Sequence, residues 1–225
     1  MKKKSSALSQ LYPFLHGKAK DNTLEKKALF QSIEQKAAHS VQAKQLFFAN
    51  NKAALILAAQ ALAEIYQNKG RVFTMGNGGS SCDASHFAVE FQHPVTAGRP
   101  SLPAMNLTMD MAMISAVSND LGVEHVFVRQ LGAHARRGDG VVGFSTSGNS
   151  KNLMAAFAKA KNMGLVTFGL CGGSGGDMVS SGLLDHCLHV PTESIHRVQE
   201  VHVAIYHILW DLTHTLLADK RGDLQ

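Results

Sequence analysis

From about residue 71 onward, short apolar runs alternate with longer amphipathic stretches. Runs at 71–75, 104–107, 140–144, 165–170 and 186–190 predict five buried strands. The stretches 81–92, 110–117, 123–135, 151–163 and 194–218 read as helices, with a loop at 94–103 and a glycine loop at 172–176. An apolar run followed repeatedly by a helix predicts an α/β fold with a parallel sheet covered on both faces. Ahead of this alternation, 23–69 is helical in composition, and 40–69 reads as one long helix. Its apolar positions Leu46, Ala53, Leu57, Ala61 and Ile65, widened by Phe47, Leu55 and Leu62, predict a well-buried element. Such a helix ahead of an α/β unit often packs on another subunit. Residues 1–22, broken by Pro13 and Gly17, read as irregular. The division expected is 1–40 as a basic tail and helical extension, 41–219 as one α/β domain, and 220–225 as a tail. No period of 20–50 residues repeats, which excludes a solenoid.

Composition supports a domain with a substantial core: 225 residues, 45% hydrophobic and 17% charged. No apolar run reaches 18 residues, so no membrane span is expected. The start is polar and lysine-rich, unlike a signal peptide. Cys82, Cys171 and Cys187 are odd in number and lack C-x-x-C spacing, as expected of reduced thiols in a cytoplasmic protein. The net charge of +5 first suggests nucleic acid. However, residues 1–30 hold seven lysines against Asp21 and Glu25, which accounts for the whole excess. Without interleaved aromatics this basic end reads as solvated, not as a nucleic-acid arm.

The candidate chemistry begins at Gly76–Glu90, G-N-G-G-S-S-C-D-A-S-H-F-A-V-E. Gly76, Gly78 and Gly79 allow a tight turn after the first strand, and Ser80 or Ser81 offers an N-cap, with Asp83 in the helix's first turn. A strand, a glycine turn and a helix N-terminus form an anion site. Glycine-rich βα turns are also common as plain structure, and this one matches neither a dinucleotide fingerprint nor a Walker loop. His86 and Glu90 lie about 40° apart on the helix, as a metal or proton-transfer pair or as a surface i, i+4 pair. A second turn, S-T-S-G-N-S at 145–150, crowds four hydroxyls at another strand end. Two such turns on one sheet edge suggest one phosphorylated small molecule, and neither carries the lysine of a triphosphate site. The last helix carries His196, Gln199, Glu200, His202, His207 and His214. Gln199 and His207 lie about 80° apart on its wheel, and spacing leaves open whether His202 or His207 meets His86.

Taken together, G-N-G-G-S-x-x-D-A-x-H-F-A-x-E, R-P-x-L-P-A, A-V-S-N-D, S-T-S-G-N-S and R-V-Q-E-V-H-x-x-x-x-H resemble the phosphoheptose isomerase family of sugar-isomerase (SIS) domain proteins. The likeness runs from about Val41 to Leu217. It implies a three-layer αβα sandwich and conversion of sedoheptulose 7-phosphate to glycero-manno-heptose 7-phosphate. By that resemblance Asn77, Gly78, Gly79 and Ser80 line the substrate pocket, with Glu90, Asn119, Asp120 and Gln199 also contacting substrate. Ser145, Thr146, Ser147 and Ser150 hold the phosphate. His86, Glu90, Gln199 and His207 match the family's zinc ligands, and Glu90 with His207 its acid/base pair. The implied assembly is a cytoplasmic homotetramer whose active sites combine adjacent subunits.

Those residue types suit aldose–ketose isomerisation, in which a proton moves between adjacent carbons through an enediol. The chain departs from the family at Pro94, where members often carry arginine, with Arg99 in the later R-P motif. F-Q-H-P and His196 also differ. Two rivals remain. One is a non-catalytic SIS protein that binds a replication initiator, against which both Glu90 and His207 are retained. The other is a phosphosugar sensor, which requires a DNA-binding segment not evident here.

Overall fold

A computed structural model describes residues 22–218, with side chains from Lys26. The readings of 1–21 and of the 220–225 tail lie outside the described residues. The chain divides into two units, Met1–Val41 and Gln42–Gln225. In the first unit the described residues are helical and expose Leu29, Phe30 and Ile33.

Five parallel strands form the sheet: β1 (Val72–Gly76), β2 (Ala104–Asn106), β3 (Gly140–Ser145), β4 (Val166–Gly172) and β5 (His186–Val190). Their spatial order is β2-β1-β3-β4-β5. The helices are α1 (Asn22–Asn50), α2 (Lys52–Gln67), α3 (Gly79–Gln92), α4 (Met111–Asp120), α5 (Val126–His134), α6 (Lys151–Met163), α7 (Gly176–Ser180) and α8 (Ile195–Leu216). All five expected strands are present, so the parallel α/β reading holds.

Period-2 alternation divides the strand side chains between two cores. On one face Val142, Phe144 and Leu170 pack with Leu62 and Tyr66 of α2, Phe87 and Phe91 of α3, and Ile205 and Leu209 of α8. On the other, Phe73, Met75 and Val141 pack with Phe127 and Leu131 of α5 and Leu153 and Phe157 of α6. This makes three layers. Strand glycines admit the close approach. A Cβ on Gly143 would stand 2.5 Å from Phe157 Cζ. Cys171 and Cys187 are free thiols with their sulfurs 3.8 Å apart.

Several boundaries differ from expectation. The 40–69 helix is interrupted at Asn51, whose Nδ2 donates to Phe47 O at 2.8 Å. A side chain that takes a helix carbonyl competes with the backbone for it. The buried face of α2 is Leu55, Ala58, Ala59 and Leu62, whereas Leu57 is 57% exposed and Leu46 of α1 is 49% exposed. Phe47, Leu55, Leu62 and Ile65 of the expected set are buried, so the expectation holds for them and fails at Leu46 and Leu57. α7 emerges from what read as a glycine loop. α3 starts at Gly79 behind Gly78, whose φ is 54°, so neither Ser80 nor Ser81 is the N-cap. Asp83 then falls past the first turn and is buried.

Candidate active site

The parallel topology brings two turns together at one sheet edge. β1 and β3 are neighbours, with Gly76 opposite Phe144. The glycine turn and the serine turn leave these strands side by side. In the glycine turn Ser80 N–H donates to Asn77 O and Ser81 N–H to Gly78 O. In the serine turn, Ser145 Oγ accepts Gly148 N–H at 3.1 Å and pairs with Ser150 Oγ at 2.9 Å. Ser147 Oγ accepts Asn149 N–H at 3.3 Å. Thr146 makes no hydrogen bond among the described residues. A cleft of about 310 Å³ runs over this turn, walled by Thr146, Ser147 and Asn149 on one side and Gly173, Glu193 and Ile195 on the other.

From these turns α3 runs alongside α8 in the same direction, because contacts repeat at a constant offset. A Cβ on Gly79 would overlap the amide nitrogen of Gln199. Two turns later, His86 Nδ1 meets Tyr206 Oη at 2.7 Å. The His86 and His207 rings stand 5.1 Å apart, near perpendicular. One further turn on, the Trp210 indole N–H donates to Glu90 O at 2.8 Å. Within α3 itself, His86 Nε2 lies 3.0 Å from Glu90 Oε1.

The result is a three-group cluster. One nitrogen of His86, one of His207 and one carboxylate oxygen of Glu90 all lie within 4.8 Å of one another. The choice between His202 and His207, open in the sequence, is resolved. His202 is fully buried beneath α8 with Nε2 3.4 Å from Cys171 O, while His207 is exposed at the cluster. Burial pulls the His202 imidazole down to about 4, so it is a neutral core group.

Gln199 lies apart from the three. Its amide rests against Gly79, and Gly79 and His86 are seven residues apart, ~10 Å along the helix axis. Asn119 and Asp120 end α4, exposed, with Asn119 Nδ2 donating to Asp120 Oδ1 at 2.8 Å. Nothing within this chain joins them to the cluster among the described residues. One chain thus brings together His86, Glu90 and His207 at one point and the two turns at another.

The donor set fits zinc: two imidazoles and a carboxylate close enough to share one ion, with His86 steadied through its other nitrogen. That second nitrogen is held by Tyr206, whose hydroxyl is pushed above the usual phenol range by burial, with Asp83 and Glu90 nearby.

The SIS domain model matches residues 37–172. A phosphoheptose isomerase of Aneurinibacillus thermoaerophilus is 40% identical over 172 residues, 76% of this chain and 86% of that protein. A solved phosphoheptose isomerase from Neisseria gonorrhoeae superposes with a TM-score of 0.77 at 34% identity, over 83% of this chain and 99% of the other. The one from Francisella tularensis gives 0.79 at 33%, over 83% and 98%. The chain belongs to the phosphoheptose isomerase family.

As a phosphoheptose isomerase family member it carries features that sequence reading passed over. Tyr206 adjoins His207 in the chain, yet its contact with His86 needs the packing of α8 on α3. Asp83, three residues before His86, is 6% exposed, and its Oδ2 has no partner among the described residues. Burial lifts its carboxyl to about 6, partly offset by His86. Arg99 stacks 4.3 Å over Trp210 and donates to Asp211 Oδ1 at 2.5 Å. This sets a guanidinium beside the ring that binds the Glu90 carbonyl.

Proposed function

We propose that this phosphoheptose isomerase converts sedoheptulose 7-phosphate to D-glycero-D-manno-heptose 7-phosphate through an enediol. The observation that carries the reading is the convergence of His86, Glu90 and His207, set two helical turns from the phosphate turns. That separation, ~10 Å, suits an extended seven-carbon chain and is too long for a triose. Phosphate sits on the hydroxyls of Ser145, Thr146, Ser147 and Ser150, with the glycine turn of Asn77, Gly78, Gly79 and Ser80 alongside. Backbone N–H groups at the start of α3 add donors to an anion.

Glu90 is the base that takes the carbon-bound proton and returns it to the neighbouring carbon. One of its oxygens is held by His86, which leaves the other for the substrate. His207 shuttles the proton between the two sugar oxygens. Zinc, when bound, supplies a Lewis acid at the carbonyl and enediolate oxygens. His86, Glu90 and His207 would hold it. Gln199 contacts substrate from beside Gly79 of the glycine turn, and Asn119 and Asp120 do so from positions that a single chain leaves apart. A homotetramer with active sites between subunits completes such a site, and exposed Ile56 and Leu57 on α2 and Ile208 and Leu216 on α8 give it an apolar surface. A cytoplasmic setting accords with the free thiols; among the described residues no single helix is long and apolar enough to cross a membrane.

Incubation of the protein with sedoheptulose 7-phosphate, followed by NMR of the products, tests the reading. A new aldose phosphate anomeric signal is expected. None at high enzyme concentration refutes it and favours the non-catalytic binding protein.

A further inference from the structure

Asn77 and Asn152 are 75 residues apart, yet their carboxamides close a two-bond ring. Asn77 Nδ2 donates to Asn152 Oδ1 at 2.8 Å, and Asn152 Nδ2 donates back to Asn77 Oδ1 at 2.9 Å. Leu153 N–H also donates to Asn152 Oδ1 at 3.0 Å. This last bond fixes which end of the Asn152 amide is oxygen, and the ring then fixes Asn77. It also satisfies one of the unpaired N–H groups at the start of α6, whose N-cap Ser150 makes no side-chain cap.

The location gives the ring its meaning. Asn77 is in the glycine turn, and Asn152 follows directly on the serine turn. The β1–β3 ladder ends at Gly76 and Phe144. Beyond it, these two bonds are the only ones joining the turns among the described residues. The serine turn is braced separately on its other flank. There Asp177 N–H donates to Asn149 Oδ1 at 3.0 Å and Met178 N–H to Gly148 O at 3.0 Å. Asn152 is 6% exposed, so its amide is spent on this contact and does not face a ligand.

We propose that Asn152 is a positioning residue for the phosphate site. With Asn77 it forms a carboxamide clasp that holds the glycine turn and the serine turn at one spacing, so that donors from both close on a single phosphate. The proposal rests on the sugar-phosphate reading above and deepens it: Asn77 acts mainly through Asn152, and the Gly78 and Gly79 backbone is what faces the ligand. Losing two part-buried hydrogen bonds that pre-organise a site loosens it, by about tenfold in affinity.

Asn152→Leu, Asn77→Leu and the double variant test this by calorimetry with inorganic phosphate and by kinetics with sedoheptulose 7-phosphate. The expected result is about a tenfold rise in phosphate Kd and in KM for each single variant, with a smaller change in kcat. The double variant should be no worse than either single one, because the clasp is already open. Wild-type affinity in Asn152→Leu overturns the proposal. So does a loss in Asn77→Leu far exceeding that in Asn152→Leu, which would make Asn77 a direct ligand. If Asn152→Leu loses its circular dichroism, Asn77→Leu decides, and unchanged phosphate binding in it overturns the clasp. A wild-type protein that binds phosphate without isomerising the heptose refutes the reaction, while the Kd ratios still judge the clasp. A wild type that binds no phosphate refutes both.

Discussion

His202 is the clearest point at which this fold should respond to acid. The side chain is fully buried and packs 6.1 Å from the Phe144 ring, and its Nδ1 has no partner among the described residues. Burial lowers the imidazole from 6.5 to about 4. The folded state therefore holds it neutral, while the unfolded chain protonates it below 6.5. Its contribution to stability is complete above pH 6.5 and is lost progressively as pH falls toward 4. The full loss is about 3 kcal/mol, and about 2 kcal/mol of it has gone by pH 5. Equilibrium urea unfolding of the wild type and His202→Leu, at one protein concentration across pH 7.5 to 4.5, isolates the effect. The packing cost of leucine is independent of pH and cancels. Above pH 6.5 the difference between the two proteins should be flat. Below it, the wild type should lose about 2 kcal/mol relative to the variant by pH 5. A difference that stays flat to pH 4.5 would refute the burial argument.

Other outcomes follow from the same geometry. Glu90→Gln keeps size and removes charge, so kcat for the heptose should fall by ~10²–10⁴ in a product NMR assay; near-normal turnover means Glu90 is not the base. Asp83 behaves oppositely to His202. Its carboxyl is raised from 3.8 to about 6, so its contribution is fully present below 3.8 and is lost as pH rises through 6. Asp83→Asn should therefore gain stability relative to wild type at pH 8 compared with pH 4, by about 2 kcal/mol in urea unfolding. Gly143→Ala places a methyl against Phe157 and should cost about 1–3 kcal/mol in the same assay. Light scattering at micromolar concentration should give a tetramer, and a monomer would contradict the proposed assembly.

The sheet was legible because each strand is a short apolar run bounded by polar or glycine residues, and a parallel sheet buried on both faces requires that pattern. The break at Asn51 was not legible, because even the pair Asn50–Asn51 within an alanine-rich helical stretch is only weakly unfavourable, and the bonds of their side chains to Leu46 O and Phe47 O are visible only in three dimensions. α7 was hidden for the opposite reason: five residues among glycines carry no periodicity. The stripe through Leu46 and Leu57 misled because α1 and α2 have apolar residues on more than one face. At the candidate site, i, i+4 spacing found His86 and Glu90. His202 and His207 are separated by about 140° on one wheel, and only the side of α8 that faces the sheet tells them apart. Tyr206, Asp83 and Asn152 owe their environments to contacts between elements far apart in sequence, which no local pattern encodes.

Trp210 is the chain's only tryptophan, and its indole N–H is bonded to the backbone oxygen of Glu90. The Arg99 guanidinium lies over the ring, and the His214 ring stands 5.2 Å from it. Intrinsic emission excited at the indole band therefore arises from one fluorophore, three residues after His207 and coupled to α3 at Glu90. The protein carries its own optical probe. Ligand or metal titrations that shift α3 against α8 can be followed by emission wavelength and quenching, without a label and without turnover.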